Sequence, residues 1–376
     1  KAAANKQVDS SKAANDASYQ AGVTAYNDAQ KGIALANQQT STSVQMPSEN
    51  SDGSQLSDSE KLAYQAVMDA YNGANETNPG NPIYDDAYKQ ALSDKSSASK
   101  LGATDALTGH QSHINPIQQS AYTQGQTDAN KGYAFAQGDM TGTVDPNNVN
   151  TGINQIDAQN GATLAYQDAL NGKPQSAPEK ASDVFKDAYN KAWNEAQDYI
   201  TDGKADANKM VNPNLTGNSS QNKITQSVYD AFNSGYNTEK SNKENNAGLS
   251  TTASNTPGFS DGVEKADAME TALSQYEATG KTNGQDKTGN YQSIADDAYN
   301  DGIKGNTSHQ NTDIPNGDTD ALAKTDIYNK IQQLAANNAA NGANTFVSGG
   351  IRDSNNTTVA DKAQENGFNY ANTGFT

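Results

Sequence analysis

The chain has 376 residues, of which 33% are hydrophobic and 19% charged, with a mean hydropathy of -0.90. Its net charge of -18 lacks the basic footprint that phosphate backbones require and disfavours anionic lipid, so no nucleic-acid partner is expected. No stretch approaches the roughly 18 consecutive apolar residues of a membrane span, so no membrane insertion is expected, and without cysteine neither disulfides nor thiol chemistry contribute.

Large aliphatic side chains are scarce, and the apolar groups are mostly Ala and Tyr. Such a composition does not build one large oily core; it suits thin elements that each bury a narrow stripe. The chain opens at Lys1 rather than Met, as a processed or cut product would. Residues 1–17 form an arm before the first strong pattern, and Lys6-Gln-Val8 weakly matches Lys89-Gln-Ala-Leu92 further on.

The first pattern runs from Ser18 to Asn37 and returns at Ala121 to Gly138. Both copies read Tyr, two residues, Gly, a polar stretch with Ala, then Lys-Gly and an apolar residue alternating with Ala. In the first copy Tyr19, Tyr26 and Ile33 recur every seven residues, as do Gly22, Ala29 and Ala36. That is a helical stripe with large residues at one position and small ones at the other. Glycine costs about 1 kcal/mol against alanine inside a helix, so Gly22 and Gly125 are expected to serve close packing.

A polar loop, Thr40 to Gln55, follows, with an apolar-Pro corner at Met46-Pro47 expected to pin it. Ser57-Asp-Ser-Glu60 then gives a capping signal ahead of Leu62 to Gly73, which matches Leu164 to Gly172. Ile83 to Leu92 matches Val184 to Trp193, the latter preceded by a second start signal, Ser176-Ala-Pro-Glu179. Ile114-Asn-Pro116 and Val211-Asn-Pro213 close the two units. A more diverged copy reads Ser227–Tyr236, Val263–Tyr276 and Ile294–Ile303, closed by Ile314-Pro315. A fourth opens at Thr325–Ile331 and has a second segment at Val359–Gly374. Polar loops are also expected over Thr141–Gly152, pinned by Val144-Asp-Pro146, and over Asn237–Thr256.

The spacing carries the repeat. First-helix tyrosines Tyr19, Tyr122, Tyr229 and Tyr328 lie 103, 107 and 99 residues apart; third-helix tyrosines Tyr88, Tyr189 and Tyr299 lie 101 and 110 apart. No alternating Val/Ile/Thr run suggests a sheet. The expected fold is all-α: an elongated array of tandem repeats of about 100 residues, three helices each, with long polar loops and little or no β-structure. The boundaries are an arm over 1–17, repeats over 18–116, 117–213 and 224–315, and a partial repeat over 319–376. Tyr19, Gly22, Tyr26, Tyr122, Gly125, Tyr189, Trp193, Tyr229, Tyr299 and Tyr328 are the candidate helix-packing residues.

Chemistry is sparse. His110 and His113 are three apart and could share a helical face, but no Cys and no clear third ligand accompany them. His309 sits in a polar loop. Glu49-Asn-Ser-Asp-Gly53 with Asp58 and Glu60 has the acidity of a calcium loop in the wrong register. The pairs Asp85/Asp86 and Asp296/Asp297 recur before Ala-Tyr and read as first-turn or solvated charges rather than a glycosidase pair. Gly-rich stretches such as Ser348-Gly-Gly350 punctuate loops. Trp193 reads as the edge of a packing stripe, with a sugar platform as its alternative. No phosphate loop, nucleophile elbow or Cys/His pairing occurs. Catalytic residues, cofactor and metal are all expected to be absent.

The Tyr-x-x-Gly and Asp-Ala-Tyr helices in Asn/Gln/Ser/Thr-rich loops without Cys resemble repeat regions of large secreted surface proteins of Gram-positive, lactobacillus-type bacteria. The resemblance spans nearly the whole chain and is one of style, so no functional residue carries over. It implies a secreted, cell-surface adhesin, stalk or matrix protein. No Leu-Pro-x-Thr-Gly sorting signal is present, so wall anchoring is not implied. The expected function is therefore extracellular, structural or adhesive, with homotypic partners or a host or matrix glycoprotein. Its sharper version has the arm at 1–17 completing the two-helix last repeat of the next chain, head to tail, as a filament. The alternatives are a glycan- or host-protein-binding module and, more remotely, a secreted hydrolase.

Overall fold

The computed structural model describes residues 17–145, 147–245, 254–282, 291–305, 314, 318, 320–347 and 357–374. The arm before Ala17, His309, Ser348-Gly-Gly350, Pro146 and Pro315 lie outside them. The fold is all-α. Its helices are α1 (Ala17–Asn37), α2 (Asp58–Asn72), α3 (Pro82–Thr108), α4 (Gln119–Gly138), α5 (Asn154–Leu170), α6 (Asp183–Asn208), α7 (Ser219–Glu244), α8 (Phe259–Thr279), α9 (Tyr291–Ile303), α10 (Ala321–Val347) and α11 (Val359–Gly374). Among the described residues there is no strand, only an isolated bridge between Glu49 and Gln55.

The helix ends follow local chemistry. Ser57 caps α2 in a full capping box with Glu60, and Gly73 ends that helix in the left-handed conformation, which glycine adopts without penalty. The Asn81 side chain accepts the amides of Ile83 and Tyr84 at the start of α3, with Pro82 in the first turn. Pro116 does not simply close a unit. It opens a short 3-10 turn, Pro116–Gln118, that runs into α4, where its missing N–H costs nothing. The start signal at Ser176–Glu179 is not the cap of α6; the Ser182 hydroxyl accepts the Phe185 amide instead.

Several helices outrun their patterns. α3 continues to Thr108 because Ala98, Gly102, Ala103 and Leu107 are buried against neighbours. The expected loop from Asn237 begins only after Glu244. Its polar first turns stay helical because ion pairs hold them: Lys240 to Asp326 at 2.9 Å and Lys243 to Asp267 at 2.5 Å. Hydrophobic periodicity carries no trace of such contacts.

The chain divides into two compact units. One holds residues through Leu164 together with Ser176–Ala192; the other holds Ala165–Gln175 and residues from Trp193 on. None of these three boundaries falls on an expected repeat boundary. The first unit's core gathers Ile33, Tyr64, Val67, Tyr84 and Ile117 among alanines, and Met46 from the α1–α2 loop packs against it. The second unit's core gathers Met269, Leu273, Tyr276, Ile327 and Ile331.

Consecutive helices meet through glycines. In the first unit a Cβ added to Gly32 would strike the carbonyl of Glu60, Gly132 that of Gln155, and Gly161 that of Phe185. Gly102 would strike the carbonyl of Tyr122, and Gly125 that of Ser99. In the second unit Gly203 meets Thr225, Gly302 meets Gln332, and two pairs are reciprocal: Gly235 with Phe259 against Gly262 with Phe232, and Gly342 with Gln364 against Gly367 with Ala339. Every one of these approaches is under 3.0 Å. Each struck carbonyl lies three residues before a Gly, Ala or Val on the facing helix: Ala63, Gly102, Gly125, Ala158, Ala188, Val228, Gly235, Gly262, Ala335, Gly342 or Gly367. A helix pair can come this close only where both surfaces lack bulk, and the short distance allows Cα–H···O contacts.

Three helices carry two crossings seven residues apart: Gly125 and Gly132 on α4, Val228 and Gly235 on α7, Ala335 and Gly342 on α10. Seven residues return to the same face about 10 Å further along the axis, which is one helix width. The preceding and following helices therefore lie side by side on that face. Direct bonds join them: Asn154 to Ser99 across α5 and α3, Lys204 to Asp261 across α6 and α8, and Asn366 to Tyr299 across α11 and α9.

Candidate functional site

The candidate packing residues separate into two groups. Tyr122, Gly125, Tyr189 and Tyr328 are buried, whereas Tyr19, Tyr26, Trp193, Tyr229 and Tyr299 are half-buried. Gly125 sits on the Ser99 backbone, but a Cβ on Gly22 would meet nothing within 4 Å. The expectation of close packing at Gly22 is therefore corrected. Tyr-x-x-Gly and Lys-Gly stand ten residues apart at Gly22 and Gly32, but seven apart at Gly125 and Gly132. The crossings follow Lys-Gly, so the counterpart of Gly125 in α1 is Ala25. By sequence Gly203 shares one helical face with Phe185, Tyr189, Ala192, Ala196 and Tyr199, whereas Gly32, Gly132, Gly102 and Gly302 were not singled out as packing residues. The Lys-Gly dipeptide and the 101- and 99-residue spacing of Gly102, Gly203 and Gly302 are the signals that mark them.

Buried tyrosines recur with a carboxylate partner. Tyr84 donates to Asp69 at 2.5 Å, Tyr122 to Asp105 at 2.6 Å, Tyr276 to Asp296 at 2.8 Å and Tyr236 to Asp326 at 2.8 Å. A buried phenol needs such an acceptor, and each bond ties one helix to another. Burial works to raise the carboxyl pKa of Asp105, but hydrogen bonds from Tyr122 and Ser112 outweigh it and hold the group below its ordinary value. Burial pushes the Tyr71 phenol up to about 12. Burial raises Tyr236 as well, with the Asp326 charge adding to it.

The acidic residues singled out by sequence do not converge. Asp52 accepts the Ser54 amide and hydroxyl at 2.9 and 2.6 Å, and Glu60 is spent on the cap and on Asn50. Asp85 accepts the Gly80 amide at the start of α3, while Asp296 serves Tyr276. His110 and His113 do not share a helical face: α3 ends at Thr108, and His110 meets the Thr108 hydroxyl at 3.0 Å. Among the described residues no group of three or more His, Cys, Asp or Glu could hold a metal ion.

What the first unit does assemble is a pair of clefts beside α3. One, of about 680 Å³, lies among the residues following α1, the end of α2, one face of α3 and the starts of α4 and α5. Its polar lining is hydroxyls, amides and two ammoniums, Lys95 and Lys100, and no Asp or Glu lines it. Lys95 is fixed by the Ala70 and Tyr71 carbonyls at 3.2 and 3.0 Å, with its charge 6.0 Å from the Tyr71 ring centre. Lys100 is exposed and makes no ion pair among the described residues. The second cleft, of about 870 Å³, shares Lys100, Gly152 and Asn154 but brings in Asp157, Asp183 and Asp187. Burial raises the Asp187 carboxyl pKa.

Compared with protein-family models, with curated proteins and with solved structures, the chain matches none. No helix among the described residues is long and apolar enough to cross a membrane.

Proposed function

We propose that the chain is an extracellular structural or adhesive surface protein, a tandem array of three-helix repeats of about 100 residues whose partners are copies of itself or a matrix glycoprotein. The observation that carries this reading is the register of the helix crossings. The glycines joining first to second helix, Gly32, Gly132, Gly235 and Gly342, are spaced 100, 103 and 107 residues apart. Those joining third to next first helix, Gly102, Gly203 and Gly302, are spaced 101 and 99. Nearest-neighbour crossings of this kind let an alanine-rich chain reach stability by repetition. The acidic, polar surface keeps such an array soluble when exposed.

The reading assigns no catalysis: among the acids singled out by sequence, Asp52 serves a turn, Glu60 a cap, Asp85 the start of a helix and Asp296 a tyrosine hydroxyl. Electron microscopy of the purified chain, paired with size-exclusion light scattering over a concentration series, tests homotypic assembly. Regular fibres support it. A discrete monomer at every concentration overturns it and leaves the adhesive role alone, which a matrix-glycoprotein adhesion assay then decides.

A further inference from the structure

From the carboxylate-free cleft of the first unit we infer that the chain binds an anionic carbohydrate, with a sugar carboxylate placed against Lys95 and Lys100. The inference deepens the adhesive reading by naming a ligand class, and it rests on that reading only for the choice of a carbohydrate.

Charge is the first reason. The chain carries 44 acidic against 26 basic residues, and several lysines elsewhere are neutralised by carboxylates, among them Lys173 by Asp168, Lys204 by Asp261, Lys240 by Asp326 and Lys324 by Asp318. Lys100 makes no ion pair among the described residues and borders both this cleft, which no Asp or Glu lines, and the mixed-charge cleft beside it. The Lys95 ammonium spends two donors on the α2 carbonyls and keeps a third, so it is positioned without being neutralised by a carboxylate. The starts of α4 and α5 border the same cleft, and the positive ends of their dipoles add to the field there.

The rest of the lining fits a sugar. Ser41, Ser96, Ser99 and Ser120 offer hydroxyls that both donate and accept, as a polyol requires. Tyr71 and Leu92 supply apolar surface for the C–H face of a ring. The volume of about 680 Å³ suits an oligosaccharide of a few residues rather than an ion. Two ammoniums on a molecule of net charge -18 match a sparse anion and not the dense charge of a nucleic acid.

The test is calorimetric titration of the whole chain with trigalacturonate, with maltotriose as the neutral control and with inorganic phosphate as the bare anion. The expected result is binding of trigalacturonate, at least tenfold weaker binding of the other two, and weakening on added salt. Lys100→Gln should weaken trigalacturonate roughly tenfold, the worth of a charge-assisted hydrogen bond. Lys186→Gln, in the neighbouring mixed-charge cleft, should change nothing. Because Lys100 is exposed and unpaired, its variant keeps the fold, which a matching melting curve verifies. Equal binding of maltotriose, equal binding of phosphate, no binding at all, or an unaltered Lys100→Gln would each overturn the inference. Fibre formation is read separately, so failure here leaves the assembly question where microscopy puts it.

Discussion

Gly102 and Gly125 face one another across α3 and α4 as a reciprocal pair. The Cβ that Gly102 lacks would enter the carbonyl of Tyr122, three residues before Gly125, and the Cβ that Gly125 lacks would enter the carbonyl of Ser99, three residues before Gly102. The same relation joins Gly235 to Gly262 and Gly342 to Gly367. The obstruction in every case is backbone, which cannot swing aside as a side chain can.

Gly102→Ala and Gly125→Ala should therefore each destabilise the chain by about 1–3 kcal/mol, despite the better helix propensity of alanine. Gly22→Ala, where a Cβ meets nothing, should instead stabilise by about 0.4–1 kcal/mol. Urea unfolding followed by helical circular dichroism measures all three. A stabilised Gly125→Ala would contradict the close crossing.

The Tyr122–Asp105 bond makes stability depend on acid. The Asp105 carboxyl sits below its ordinary value in the folded chain, so its contribution is complete above the unfolded value of about 3.9. It is lost as pH falls through the lower folded value. Tyr122→Phe should cost about 1–3 kcal/mol at neutral pH and flatten the loss of stability below that point. Melting curves across the acid range, for parent and variant, give the comparison.

At the alkaline end the sign reverses. The Tyr71 phenol is raised to about 12 by burial, and that stabilisation is full below the unfolded value of about 10. It is lost as pH climbs from there through about 12. Phenolate absorbance in a pH titration should show a class of tyrosines, Tyr71 and Tyr236 among them, that ionise late and together with loss of helix. Titration of every tyrosine near its ordinary value, with helix intact, would count against the buried network.

Ser57→Ala removes the hydroxyl that accepts the Glu60 amide and should cost about 1 kcal/mol. Ser57→Gly should cost only a few tenths. The same urea series resolves the two.

Much of the architecture is legible in the amino acids taken in order. Seven-residue spacing of Tyr and Ala implies helices, and the absence of alternating β-branched runs argues against a sheet, of which the described residues have none. Ser57-Asp-Ser-Glu60 marks the start of α2. These are local properties, set by propensity, capping and periodicity within a dozen residues. Which glycine meets a neighbouring backbone is not local. Gly22 and Gly125 stand in the same Tyr-x-x-Gly context, yet only the second faces a helix, because the partner's position decides which turn is crowded. The polar end of α7 is helical because Asp326 and Asp267, far along the chain, pair with Lys240 and Lys243. The cleft likewise draws Ser41, Lys95, Ser120 and Asn154 from four separate segments, and only packing brings them to one surface. The sequence by itself determined helices and their caps, through interactions between near neighbours. The tertiary structure alone decided which faces touch and which charges are left unpaired, because both depend on contacts between residues far apart in the chain.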